Sequence, residues 1–430
     1  MPTCLSSLGN SYLRQFERLD DPADLNEAIT AQQQAVNLVP DGHPHKPGYL
    51  NNLGMSFRSR YERFSDVGSL EEAITAHQQA VHLTPDDHPH KPIFLDNLGI
   101  SFHCWFLRLD NVADLDEAIT AQQHTVRLTP EDHPHKPKNL SNLGCSLFER
   151  FNRLGDLANL NEAITVQQQA VRLTPDGHSD KPLRLDNLGV SLGGRFDRLG
   201  DVGDIDEAII VQRRAIRLMP DGHPDITGHL SNLGNSLQRQ FECLGNAVDI
   251  DEAITVQQQA VHLTPDDHPR KPAHISSLGS SFLRRFEHRR DIADIDESIT
   301  AHQQAVRLTP DGHPEKPGCF NNLGSSLFLR FVHFNKLTDL DEAIITQEQA
   351  VNLTPDGHPS KAGRLNNVGM SFLTWSRRQH DDTALAKATS TFSQSATLLP
   401  APPVRASTDA TTLGRCLRFI YDTVLQVFRP

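Results

Sequence analysis

Positive charge is in short supply: 41 Lys and Arg stand against 54 Asp and Glu, for a formal net charge of −13. A nucleic-acid footprint needs a basic face, so the balance argues against nucleic acid as a partner; the acidity mildly favours basic partners or serves solubility alone. No apolar run approaches the roughly 18–20 residues that a membrane span requires. The opening Met1-Pro2-Thr3-Cys4-Leu5 shows no basic region followed by an apolar stretch, so no secretory signal is visible. Six cysteines (Cys4, Cys104, Cys145, Cys243, Cys319, Cys416) are scattered without a C-x-x-C pair, which points to a reducing, cytoplasmic setting. Aromatics make up 6%, with tryptophan only at Trp105 and Trp375. There is no Gly-rich phosphate loop, no H-E-x-x-H and no G-x-S-x-G, and no nucleophile stands with a plausible base. The expectation is a non-enzyme with no cofactor, no metal and no small-molecule substrate. Strict strand alternation is also missing throughout.

What is present is a period. Leu-Gly ends in Gly9, Gly54, Gly99, Gly144, Gly189, Gly234, Gly279 and Gly324, and Val-Gly in Gly369, each 45 residues after the last. A serine lies two residues after each glycine, from Ser11 to Ser371, and a proline recurs from Pro40 to Pro400 in the same register. A fixed period of this length marks a solenoid, in which each unit packs on its neighbours. The 430 residues therefore need not divide into two or three globular domains.

Residues 46–90 show one unit. Pro47 suits the first turn of a helix, and Leu50, Leu53, Phe57 and Tyr61 recur at three and four residues, predicting a first helix over 48–64. In other units this helix ends at Gly155, Gly200 or Gly245, each able to take the left-handed closing conformation. A second helix is expected to open on a capping box, Ser69…Glu72, repeated as Asp24…Glu27, Asp114…Glu117, Asn159…Glu162, Asp204…Glu207, Asp249…Glu252, Asp294…Glu297 and Asp339…Glu342. Ala73, Ile74, Ala80, Val81 and Leu83 supply its buried face, Thr84-Pro85 stops it, and Asp86-Asp87-His88-Pro89 turns the chain. Gly54 falls inside the first helix, where glycine costs about 1 kcal/mol against alanine. Its ninefold recurrence predicts a neighbouring helix too close for a side chain.

These residues resemble the tetratricopeptide repeat. Leu50 sits in the Trp slot of that pattern, Leu53 and Gly54 match, Phe57 fills the Tyr slot, and Ala73, Ala80 and Pro85 fall at its second-helix spacing. His77 in the Phe slot and the 45-residue length depart from it. The enlarged units are similar to those of kinesin light chains. The wording L-x-N-L-G-x-S, R-F, E-A-I and L-T-P-D-G-H-P resembles repeats of mushroom-forming fungi that often precede a caspase-like CHAT peptidase domain. The resemblance covers residues 1 to about 400 and implies an all-α fold, an α-α superhelix or solenoid of about nine helical hairpins. It also implies a cytoplasmic scaffold that binds a protein or peptide in its concave groove. The alternatives are the orphaned regulatory region of a CHAT-type peptidase and a self-associating structural array.

The domain reading is a repeat solenoid over 1–400 followed by 401–430. There Leu413, Leu417, Ile420, Val424 and Val427 form one stripe, read as a helical cap or the truncated start of a lost domain. The first unit lacks the Lys-Pro lead-in of the others, which fits a fragment of a longer protein.

Binding is expected at the residue two before each glycine: Asn52, Asn97, Asn142, Asn187, Asn232, Asn322 and Asn367, with Ser7 and Ser277 as exceptions. By resemblance the first helices line the groove, and an amide carries both the donor and the acceptor that a peptide backbone needs. The competing reading is that each Asn bonds only to a neighbouring helix. Two variable columns flank it. One runs Asn10, Met55, Ile100, Cys145, Val190, Asn235, Ser280, Ser325 and Met370. The other runs Leu13, Arg58, His103, Phe148, Gly193, Gln238, Leu283, Phe328 and Leu373. Both partner choice and surface drift account for them. The turn histidines His43, His88, His133, His178, His223, His268, His313 and His358 fall one per unit, a spacing that suits turns better than converging zinc ligands. Arg60, Arg150, Arg195, Arg285 and Arg330 share a slot near the end of the first helix, facing either the helix dipole or an acidic turn.

Overall fold

The computed structural model describes residues 1–220 and 222–398; the segment 401–430, with its expected cap, lies outside the described residues. Those residues form eighteen α-helices and no strand. They divide into two compact units, Met1–Thr264 and the chain from Pro265 onward. The first unit holds six hairpins: α1 (Pro2–Leu19) with α2 (Pro22–Asn37), α3 (Lys46–Phe64) with α4 (Val67–His82), α5 (Lys91–Leu109) with α6 (Val112–Leu128), α7 (Lys136–Leu154) with α8 (Leu157–Leu173), α9 (Lys181–Leu199) with α10 (Val202–Leu218), and α11 (Ile226–Leu244) with α12 (Ala247–Leu263). The second holds three: α13 (Lys271–Arg289) with α14 (Ile292–Leu308), α15 (Lys316–Phe334) with α16 (Leu337–Asn352), and α17 (Lys361–Gln379) with α18 (Asp382–Leu398). Within each unit, every first helix packs on its own second helix and on the second helix before it, and touches the preceding first helix more lightly.

The hairpin bend is made the same way each time. The residue after the first helix is left-handed in all nine repeats: Asp20, Ser65, Asp110, Gly155, Gly200, Gly245, Arg290, Asn335 and His380, at φ between 54° and 72°. The next residue caps the second helix with its side chain in most repeats, though not at Asp66 or Lys336. Asp21 Oδ1 accepts from Ala23 N at 2.9 Å, and Asn111, Asp156, Asp201, Asn246 and Asp291 do the same for the residue two further on. This corrects the capping-box expectation. The true N-cap stands three residues earlier, so Asp24, Asp204, Asp294 and Asp339 lie inside the first turn with their side chains buried. They serve another purpose: Arg195 clamps Asp204 with Nε–Oδ2 at 2.8 Å and Nη2–Oδ1 at 2.5 Å, and Arg285–Asp294 and Arg330–Asp339 repeat the fork. The arginine slot therefore faces an acidic partner. Arg60 differs in its fork, with Nε donating to Ser69 Oγ and Nη2 3.5 Å from Asp66 Oδ2.

The glycine inside each first helix has a steric cause. A Cβ on Gly144 would stand 2.5 Å from Gln167 Cγ, and Gly189, Gly234 and Gly324 meet Gln212, Gln257 and Gln347 at 2.5–2.6 Å. Gly54 and Gly279 meet His77 and His302, and Gly369 meets Phe392, the aromatic that the resemblance places in this slot. Around that contact Leu70, Ala73 and Ala80 are fully buried, as are their counterparts Leu160, Ala163 and Ala170. Val81, Leu83 and Tyr61 are only half-buried.

Most second helices are closed by two side chains. Thr84 Oγ1 donates to Ala80 O at 2.7 Å, and Lys91 Nζ, from the start of the next first helix, donates to Val81 O at 2.9 Å and Thr84 O at 2.6 Å. Lys136, Lys181, Lys316 and Lys361 repeat this double contact. A cation on the terminal carbonyls satisfies orphaned acceptors and opposes the negative end of the helix dipole.

Candidate functional site

The asparagine column lies on the first helices, half-buried except at Asn97, which is 7% exposed. Each amide nitrogen reaches back to the preceding first helix. Asn52 donates to Ser6 Oγ at 3.1 Å, Asn97 to Asn51 Oδ1 at 2.8 Å, Asn142 to Asp96 Oδ1 at 2.9 Å and Asn232 to Asp186 Oδ2 at 2.8 Å. Asn187 approaches Ser141 Oγ and Cys145 Sγ at 3.5 and 3.4 Å. In the second unit Asn322 donates to Ser276 Oγ at 3.1 Å and Asn367 to Asn321 Oδ1 at 2.9 Å. The acceptor always lies 46 residues earlier or, for the extra Asn187 contact, 42. Carboxylates only accept, so Asp96 and Asp186 fix which way the amides of Asn142 and Asn232 face. The Oδ1 atoms of the column accept no hydrogen bond among the described residues.

Beside the column, the variable residues on the first helices of the first unit form a half-buried surface. Burial holds the Cys145 thiol protonated, with its pKa pushed up to about 12, so that sulfur is a poor nucleophile. One turn further on, burial also raises the Glu149 carboxyl. Asp197 is raised by burial against the opposing pull of Arg239, whose Nε lies 3.1 Å away. His103 Nδ1 lies 2.8 Å from Ser146 Oγ, and burial lowers the ring's pKa.

The turn histidines act inside the turns. In all eight, Nδ1 accepts the backbone N–H two residues on, as from His90 to His88 at 3.1 Å and from Ser360 to His358 at 3.1 Å. Among the described residues no three His, Cys, Asp or Glu side chains gather as metal ligands. No helix there is long and apolar enough to cross a membrane, and Cys4, Cys104, Cys145, Cys243 and Cys319 are free thiols.

Sequence reasoning missed two sets of residues. One is the buried Gln and His column opposite the glycines, which a shared offset of 23 residues from Gly to Gln signals. The other is a pair of clefts between successive turns. The first, about 500 Å³, opens between the turns at Asp86–Pro89 and Pro130–His133 and reaches Asn97. The second, about 570 Å³, occupies the same register 180 residues later, between Asp266–Pro269 and Pro310–His313, and reaches Ser277 and Asn322.

No family model and no curated relative matches the chain. Among solved structures, the apo form of the quorum sensor NprR from B. thuringiensis superposes with a TM-score of 0.53 at 14% identity, covering 90% of this chain and 97% of that one. BtubC from P. vanneervenii gives 0.42 at 17% identity over 58% of this chain and 97% of its own. A putative kinesin light chain of Podosopora anserina with nearly identical TPR-like repeats gives 0.36 at 16% identity over 50% of this chain and 97% of its own. The likeness is one of fold: stacked helical hairpins of the tetratricopeptide-like kind.

Proposed function

We propose that this tetratricopeptide-like solenoid is a protein-interaction scaffold whose first helices hold an extended peptide along the asparagine column. The observation that supports the reading is the division of labour within each amide. Nδ2 is spent on the preceding repeat, which fixes the side chain, and Oδ1 is left as an acceptor for a peptide N–H. An acceptor held in place before the ligand arrives loses little entropy on binding. Repetition at one step per repeat spreads such acceptors along each unit, as a long partner segment requires. The alternation of constant asparagine with variable neighbours supports backbone capture by the former and selectivity by the latter.

The test must separate clasp from ligand contact. Ser6→Ala removes the clasp acceptor of Asn52, and Asn52→Ala removes both clasp and ladder. With a peptide selected from a random display library on the wild-type chain, N142A/N187A/N232A and N52A are expected to weaken binding, while S6A, which frees the Asn52 side chain but keeps its acceptor, weakens it less than N52A does. Equal loss of binding and stability in S6A and N52A would reduce the column to a structural clasp.

A further inference from the structure

We infer that the cleft between the second and third turns receives the arginine side chain of an extended peptide, with Asp87 as its counter-ion. The inference deepens the peptide reading and rests on it for the ligand's main chain. The cleft's own chemistry carries the side-chain assignment. Pro89, Pro92, Ile93, Leu128 and Pro130 give it apolar walls, while Asp86, Asp87 and Asp96 stand against Lys138 as its lone lysine. Two of those carboxylates are already engaged, since Asp86 lies 3.3 Å from Lys91 Nζ and Asp96 lies 3.0 Å from Lys138 Nζ. Asp87 is exposed and has no ion pair or hydrogen bond among the described residues. A flat guanidinium, weakly hydrated on its faces and able to bond a carboxylate through two N–H groups, matches apolar walls with an acid at the mouth.

The array supplies its own comparison. The slot of Asp87 is glycine in five other turns, at Gly42, Gly177, Gly222, Gly312 and Gly357, and aspartate at Asp132 and Asp267, so the turn forms without an acid there. Asp267 fills the same slot in the second cleft, where Asp266 is paired with Lys271 at 3.2 Å and Asp267 has no partner among the described residues. Both clefts thus carry a carboxylate that the turn itself does not need. A charge added where the backbone allows glycine is free to serve recognition.

The experiment follows the Ile93 methyl signal in isotope-labelled full-length chain during titration with N-acetyl-arginine N-methylamide. A saturable shift is expected with this probe and none with the glutamate analogue. Asp87→Gly, which installs the residue other turns carry, should weaken the arginine probe by about fivefold or more. A methyl shift of equal size with the glutamate analogue, no shift with arginine, or unchanged affinity in D87G would each overturn the assignment. Loss of library-peptide binding in N142A/N187A/N232A with the Ile93 shift intact would support the cleft on its own. Peptide binding intact in D87G, with arginine and alanine peptides bound equally, would sink the cleft and leave the peptide reading standing.

Discussion

The imidazole of His77 occupies the space that a side chain on Gly54 would need: a Cβ there would lie 2.5 Å from Nε2. The same contact joins Gly144 to Gln167, with Cγ at 2.5 Å. Gly144→Ala gains about 1 kcal/mol of helix propensity, yet overpacking costs about 1–3 kcal/mol, so a net loss is expected. Gly144→Ala combined with Gln167→Ala should be less destabilised than the sum of the two single changes. Urea midpoints for the four members of the cycle measure the coupling, and strict additivity would refute the contact.

His77 and His302 replace glutamine in this buried column, and burial drives their pKa values down to about 3 and about 4. His77 faces Ser101 and Asn51 and feels Arg58; for His302 burial is the cause. The folded rings stay neutral while an unfolded histidine takes a proton near 6.5. Their contribution is present in full above pH 6.5 and is lost as pH falls toward the folded values, by a few kcal/mol. The double variant H77Q/H302Q, carrying the residue of the neighbouring repeats, should lose less stability between pH 7 and 4. Parallel melting-temperature curves for the two proteins across that range would count against it.

How much of this was legible in the sequence depends on distance along the chain. The period, the two helices per unit, the glycine closing residues and the need for a close approach at Gly54 follow from spacing and local stereochemistry. The N-caps were misplaced because aspartates stand three apart, at Asp201 and Asp204, and the second matches Asp-x-x-Glu. What decides between them is Arg195, nine residues upstream on another helix. Lys91 looked like a lead-in to Pro92; its role needs the next helix start to lie over the last carbonyls of the previous one. The clasp acceptors 46 residues before each asparagine, and the clefts between turns, arise only once hairpins stack.

The lysine clamp gives a third prediction. Lys136 is 5% exposed, with Nζ 2.9 Å from both Val126 O and Thr129 O and 3.0 Å from Glu131. Lys136→Met keeps the stem and removes the donor, leaving buried carbonyls unpaired at a cost of about 1–3 kcal/mol. Ile226 stands in this slot in the sixth repeat, so the fold tolerates an apolar residue there. Hydrogen exchange should quicken at the end of α6 first, and unchanged protection there would show the clamp to be idle.

Left-handed backbone at the hairpin bend gives a fourth. Arg290 takes φ 61° in the slot where Gly155, Gly200 and Gly245 sit near 70°. A side chain costs about 1 kcal/mol in that conformation. Ser65→Gly should raise the melting temperature and Gly200→Ala should lower it, whereas Gly68→Ala, at a helical position, should not lower it. A lowered melting temperature for Ser65→Gly together with a raised one for Gly200→Ala would mean that the bend is not left-handed.

Asp201 and Asp204 lie three residues apart and do different work, which decides the last prediction. Asp201 Oδ1 accepts one N–H, from Gly203, at an exposed helix start. Losing such a cap costs about 1 kcal/mol. Asp204 is 4% exposed and held by two donors of Arg195, whose own pKa is raised chiefly by that bond. Removing one member of a buried pair strands the other, at about 3–5 kcal/mol. D204A is therefore expected to cost several times more than D201A in denaturant titrations. Arg195 is only partly buried, with its side chain 26% exposed, so water softens the loss and D204A should fall toward the lower end. The double variant D204A/R195M should recover part of that loss, because an apolar stem replaces the stranded charge. If D201A proves the costlier change, the cap at Asp201 outweighs the pair, and the fork between Arg195 and Asp204 contributes little to the hairpin.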